Sequence, residues 1–376
     1  MRSPDSRGFH VVIDGYDLIG DSRHRGIGRY VRNLVTNLAA LPSVSLTVLG
    51  PASGDLPAGA RGIPLPTRTP LRLLPSNTLR GTIGREEQRL RRARALRGLD
   101  ASIFHSAGQE VPRALAVPFV QTIHDLTPLV FDHPLLRKDR RRWEHLAQRV
   151  LSAAAVVVPS RSTADQVLAL IGVPAERIHV IPHAADIQPP VDRSPRSDPP
   201  YLLVVSAWGP HKGFREASEV IGRLARLGQP HRLRIAGRLD EWQLAHATAD
   251  VLAGGGADRT DLVGFVEDLP SLYRGASVIL CTSRAEGFGL PVLEAMAVGA
   301  PVVAFANSSL IEVVGDGGIL VPDGDADEMA SVVGTLLDDE AALENWRGRA
   351  RTWAERYSWT KAANEHLAVY RAVSGC

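Results

Sequence analysis

The stretch "SRAEGFGLPVLEAMAVG" (283–299) sets two carboxylates, Glu286 and Glu294, with seven residues between them around a glycine-rich turn that runs into an apolar helix. Two carboxylates so close invite a general acid–base reading, but their neighbours give them another setting. Pro291 is pre-set for the first position of a helix, so Glu294 is expected in the first turn and Glu286 in the loop before it. Both then flank a helix N-terminus, where unpaired N–H groups and the helix dipole favour an anion such as phosphate. Gly287, Phe288, Gly289 and Leu290 supply that turn, and Gly299 with Pro301 ends the helix. Lys212 in "SAWGPHKGF" (206–214) follows another strand-like run, with Gly209 and Gly213 allowing close approach. A lysine there meets a diphosphate as a point charge. A third glycine turn, "RGIGRYV" (25–31), carries Gly26 and Gly28 but Val31 where a dinucleotide fingerprint requires its third glycine.

Such residues need strand ends and helix starts to hold them. Short runs rich in Val and Ile alternate with amphipathic stretches, the pattern of parallel sheets wound with helices. In the front half these runs are 10–14, 45–50, 101–105, 118–124, 155–160 and 178–183; in the back half they are 201–206, 231–237, 261–266, 276–283, 301–305 and 318–322. Between them "DIQPPVDRSPRSDPP" (186–200) carries five prolines and reads as a linker. A length of 376 residues also exceeds what one hydrophobic core usually supports. Two wound sheets with a hinge make a cleft, and ligands bind at the carboxyl ends of their strands.

The net charge of +2 hides an asymmetry: residues 1–200 hold 27 Lys and Arg against 18 Asp and Glu, whereas 201–376 hold 16 against 23. Much of the positive charge lies in "REEQRLRRARALRG" (85–98) and "RKDRRRWEHLAQR" (137–149). These read either as solvated helices laced by pairs such as Glu87 with Arg91, or as a patch that attracts anionic lipid or an anionic acceptor. No apolar run approaches membrane-span length, and Asp14 and Asp17 break the apolar start, so a cytoplasmic protein is expected, with peripheral membrane contact through the basic front half. Two cysteines exclude a disulfide framework or a zinc site, and Cys281 reads as a small core residue. "DGDAD" (323–327) opens a helix and is expected to cap it rather than bind metal. The scattered tryptophans, Trp208, Trp346 and Trp359 among them, offer no stacking platform for nucleic acid.

The segment 262–330, together with "GIGRYV", "TIHDLTPL" (122–129), "VVVPSRSTADQV" (157–167), "RIHVIPHAAD" (177–186), the Lys212 loop and "YSWTKAANEHLAVYRAV" (357–373), resembles the retaining nucleotide-sugar glycosyltransferases of family 4. The resemblance implies the GT-B fold: two Rossmann-like, doubly wound parallel-sheet α/β domains facing across a cleft. It implies a front, acceptor-binding domain at 1–187, a linker at 188–200, a nucleotide-sugar domain at 201–358, and a last helix at 359–376 that crosses back. It also implies roles. Glu294 accepts hydrogen bonds from the donor ribose, as suits a vicinal diol; Glu286 lies beside the transferred sugar. The backbone of Gly287, Phe288, Gly289 and Leu290 receives sugar hydroxyls and the distal phosphate, while Lys212 and the Gly209 loop neutralise the leaving diphosphate. Gly237, Arg238, Gly264 and Val266 surround the base, Gly28 lets the first turn approach the phosphates, and His124 of the His–Asp pair meets the sugar. His183 and Asp186 are expected to stabilise the hinge, and Arg29 either opens its helix or touches the acceptor. The family often carries an arginine shortly before the lysine. Ser206, Ala207 and Trp208 stand there in this chain.

The expected activity is thus metal-free retaining transfer of a hexose from a nucleoside-diphosphate sugar, a co-substrate rather than a cofactor, with no metal site and no bound cofactor. The "HDLTPL" variant leans toward GDP-mannose. Arginine outnumbers lysine 40 to 3, which fits a GC-rich bacterial source and a glycan, lipid-linked or natural-product acceptor. A non-hydrolysing nucleotide-sugar epimerase and a non-enzymatic two-lobed binding protein are the alternatives.

Overall fold

In the computed structural model, which describes residues 9–65, 90–108, 110, 115–187 and 198–375, the strands fall into two sheets whose pairings are all parallel. The front sheet comprises β1 (Phe9–Asp14), β2 (Val44–Gly50), β3 (Ala60–Pro64), β4 (Ile103–Ser106), β5 (Phe119–Thr122), β6 (Ala155–Val158) and β7 (Ile178–Val180), in the order β3-β2-β1-β4-β5-β6-β7. The back sheet comprises β8 (Tyr201–Val205), β9 (Arg232–Ala236), β10 (Thr260–Gly264), β11 (Val278–Cys281), β12 (Val302–Phe305) and β13 (Ile319–Val321), in the order β10-β9-β8-β11-β12-β13. The strand order reverses between β1 and β4 in front and between β8 and β11 behind. Those two switch points are where a doubly wound sheet leaves a crevice.

Every apolar run read from the sequence became a strand; the central ones are apolar throughout because both of their faces are covered, whereas the edge strands β7 and β10 are only partly buried. The added strand is β3, "ARGIP", which is half exposed and ends on a proline, as only an edge strand tolerates. The front helices are α1 (Gly26–Ala39), α2 (90–97), α3 (Thr127–Val130), α4 (Arg137–Val150) and α5 (Arg161–Ile171). Helix α4 is less solvated than its charges imply: Trp143, Leu146 and Val150 bury one stripe against the sheet. Residues 85–89, with Glu87, lie outside the described residues, as does most of the proline-rich linker. No helix among the described residues is long and apolar enough to cross a membrane.

The back helices are α6 (Phe214–Arg226), α7 (Glu241–Gly254), α8 (Leu269–Gly275), α9 (Leu290–Ala297), α10 (Leu310–Val314), α11 (Ala326–Asp338), α12 (Glu340–Ala354) and α13 (Trp359–Ser374). Asp325 of "DGDAD" caps α11, its Oδ1 accepting from the Glu328 N–H at 2.9 Å. The last helix belongs to the front core. Trp359, Ala363, Leu367 and Tyr370 of α13 pack with Tyr30, Val31 and Leu34 of α1. A buried polar network accompanies them: Tyr30 Oη lies 2.9 Å from His366 Nε2 and 3.0 Å from Thr122 Oγ1, His105 Nε2 lies 2.7 Å from Thr122 Oγ1, and Tyr370 Oη lies 2.6 Å from His105 Nδ1.

Candidate active site

The back-sheet crevice collects Lys212 and both glutamates. A turn closed by the Lys212 N–H to the Gly209 carbonyl (2.9 Å) carries the lysine off the end of β8. Its Nζ then lies 2.6 Å from Glu286 Oε1. Burial lowers the lysine's pKa, but the Glu286 charge and hydrogen bond outweigh it and the net shift is upward. Burial raises Glu286, and Lys212 overrides it downward. The pair is ionised, positioned at the start of α9.

That start is built by Gly289, whose φ of +96° turns the chain into the helix as its N-cap. Because Leu290 opens α9 and Pro291 follows it, Glu294 falls in the second turn, not the first as its spacing from Pro291 implied. It is 1% exposed. Its Oε1 pairs with Arg29 Nη2 of α1 across the cleft, and its Oε2 accepts from Tyr273 Oη at 3.2 Å. Burial drives the Glu294 pKa up, and the Arg29 charge only partly counters it.

The Gly287–Leu290 turn is clasped from the front lobe. The Gly287 carbonyl accepts from Ser160 Oγ at 2.8 Å and Thr163 Oγ1 at 3.1 Å. A Cβ on Gly287 would overlap the His124 carbonyl, so this glycine serves close approach. Phe288 inserts its ring beside His183, 5.0 Å between centroids, and Tyr357, 5.9 Å. Glu312 of α10 caps α5 from the other lobe, taking the Arg161 and Ser162 N–H groups at 3.0 and 3.1 Å. Behind the turn, Ser308 adopts a φ of +40° and its Oγ accepts the Glu286 N–H at 2.9 Å. Such backbone strain persists where the surroundings over-determine it.

Of the other expected site residues, His124 sits beside Gly287 with its ring edge-on to Tyr30 and its Nε2 2.8 Å from the Ala107 carbonyl oxygen. Burial lowers its pKa, so the ring is neutral near pH 7. Gly237 donates its N–H to the Gly264 carbonyl at 2.9 Å, joining the ends of β9 and β10. Arg238 lies over the Phe265 ring, with the front lobe's His24 edge-on to that ring from the other side. Val266 packs on the α9 core. Gly28 lies against the loop that precedes α1. A Cβ there would overlap the Ser22 and Asp17 carbonyls, so it packs the 16–24 loop of its own lobe, and Gly26 is the glycine of that turn that faces Leu290. Cys281 is half-buried, its thiol pushed up to about 12 chiefly by burial. The front switch point holds a cavity of about 360 Å³ between Asp14, Asp17, Arg92, Glu110 and Arg142. Asp14 pairs with Arg92 (3.2 Å) and Glu110 with Arg142 (2.9 Å). Ser160, Thr163, Tyr273, Glu312 and the Arg29 pairing were missed; "SRST" signals a helix cap, but nothing local tells which backbone it receives.

Residues 24–189 match the family model described as Glycosyltransferase Family 4, and residues 190–353 match the one described as Glycosyl transferases group 1. The O-antigen chain mannosyltransferase B of Escherichia coli is 30% identical over 305 residues, 75% of this chain and 77% of the relative. The chain belongs to glycosyltransferase family 4. A D-inositol 3-phosphate glycosyltransferase of Catenulispora acidiphila is 32% identical over 303 residues, 71% of this family 4 chain and 69% of its own. The GT-B fold of the family is shared with the sucrose-phosphate synthase of Thermosynechococcus elongatus, at a TM-score of 0.75 and 22% identity over 97% of this chain and 99% of that one.

Proposed function

We propose that this glycosyltransferase moves a hexose from a nucleoside-diphosphate sugar to an acceptor hydroxyl, with retention of anomeric configuration and without a metal ion. The observation that carries the reading is the ionised Lys212–Glu286 pair at the N-terminus of α9, with Glu294 one turn along. An anion seated on that N-terminus meets unpaired N–H groups, the helix dipole and a lysine together. In this reading Glu294 takes the ribose diol, Glu286 and the Gly287–Leu290 backbone take the sugar, and Lys212 stabilises charge on the departing diphosphate. The acceptor hydroxyl attacks from the face the diphosphate leaves, forming the glycosidic bond as the sugar–phosphate bond breaks, and the leaving phosphate oxygen takes the hydroxyl proton. No protein nucleophile is required. The front cavity at Asp17 supplies acceptor contacts, and closure of the lobes over Gly287 excludes water.

A GDP-sugar, GDP-mannose foremost, is favoured by the mannosyltransferase relative and by the "HDLTPL" sequence, with a cell-envelope glycan as acceptor. Thermal shift with UDP, GDP, dTDP and ADP tests the donor. A ligand at 100 times its dissociation constant stabilises by about 2.7 kcal/mol, so the preferred base stands out. Product stereochemistry by NMR tests retention. Turnover abolished by EDTA and restored by Mn²⁺ would overturn the metal-free reading.

A further inference from the structure

Arg29 occupies the seat that the proposed donor needs. It lies in the first turns of α1, which opens against Leu290 of the donor helix. Its guanidinium is ion-paired with Glu294 Oε1, and Tyr273 donates to Oε2, so each oxygen of this buried carboxylate has one partner. A vicinal diol that takes both oxygens competes with these partners, the bulky guanidinium above all. The displaced partner is then a cation in a closed cleft, where an unpaired charge is costly.

The charges of the site point to where it goes. Lys212 is paired with Glu286 and Arg29 with Glu294, and the Asp125 and Asp186 charges also act on these cations. A diphosphate adds two negative charges. Lys212 offsets one, Ser206 at the end of β8 brings none, and His211 beside the lysine is kept neutral, its pKa lowered to about 4 by burial and then by Lys212. We propose that Arg29 is exchanged by the donor: the ribose takes over Glu294, and the released guanidinium turns onto the diphosphate as its second cation. The inference rests on the donor reading above. A planar guanidinium can grip two phosphate oxygens at once, which an ammonium cannot.

The test compares binding of UDP and GDP with binding of uridine and guanosine, by calorimetry, in the wild type, Arg29→Met and Arg29→Lys. With the better base, Arg29→Met is expected to cut the preference for diphosphate over nucleoside about tenfold or more. Nucleoside affinity holds or rises, because Glu294 no longer has to be released. Arg29→Lys recovers part of the preference, which a purely structural role for Arg29 would not produce. Equal losses for nucleoside and diphosphate, or an unchanged preference, overturn the exchange and leave the donor reading standing. A wild type that binds none of the four overturns both.

Discussion

The two lobes meet along two seams of opposite character. At the donor turn the seam is polar: hydroxyls on a carbonyl, a carboxylate on a helix N-terminus, and the Arg29–Glu294 pair. Water can take over these polar contacts once the lobes part, while the buried Arg29–Glu294 pair and the Phe288 ring beside His183 and Tyr357 set a cost. At the crossover helix the seam is a core. Trp359, Leu367 and Tyr370 are buried among front-lobe side chains, and Tyr30, His105, Thr122, His366 and Tyr370 share one buried polar network. Opening this seam would strand buried donors and acceptors at roughly 1–3 kcal/mol each. The difference predicts that the cleft opens more readily at the Gly287 turn than at α13.

The comparison can be broken first at the crossover. Tyr370→Ala removes a fully buried ring and the partner of His105, and should destabilise the chain by about 3–5 kcal/mol, measured by urea unfolding. Donor affinity of the folded fraction should stay near wild type. Equal damage from both measurements would mean that the seams are not separable.

Lys212→Ala tests the other seam. Loss of one preorganised charge should lower turnover on the order of a hundredfold, near 3 kcal/mol, in a steady-state assay with the identified donor. The crossover network should be untouched, which side-chain NMR of His105 and His366 would report.

Acid should act on the crossover through a cluster of buried imidazoles. Burial keeps His105 and His183 well below the usual imidazole value and sets His366 at about 4, with the neighbouring imidazoles adding in the same direction. These rings are neutral when folded, so between about pH 6.5 and 4 the unfolded chain binds more protons. Their contribution is full above pH 6.5 and is lost as the pH falls through that window. For His366 alone, going from pH 7 to 5 removes roughly 2 kcal/mol. Asp17 works the other way, because burial and then the Asp14 charge raise it to about 6 and acidification relieves it. His366→Phe should therefore flatten the acid limb of stability against pH, and Asp17→Asn should steepen it. The smallest effect is expected from Glu312→Ala, about 1 kcal/mol of helix capping, read by small-angle scattering as a larger open population.

The same contrast governs what was legible beforehand. Buried parallel strands advertise themselves as unbroken apolar runs, and β8 or β12 could hardly be read otherwise. The donor turn was legible because its chemistry is local: glycines, a proline and an apolar helix within seventeen residues. Glu294 was set one residue too early, in the first turn rather than the second, because Pro291 occupies the second helical position rather than the first. The cross-lobe contacts were not legible. Arg29 meets Glu294, Ser160 meets Gly287 and Glu312 meets Arg161 over sequence separations that no local pattern spans, and β3 lacks an apolar run because an edge needs none.

Gly287 carries a last consequence for evolution of the cleft. Its missing side chain is what allows the two lobes to touch at the His124 carbonyl, so the closed state has a minimum gap defined by a hydrogen atom. Any larger residue at 287 would act as a wedge, holding the reaction chamber ajar by about the width of a methyl group and admitting the water that closure keeps out. If transfer follows the proposed route, a substitution at 287 is expected to raise the ratio of sugar lost to water against sugar delivered.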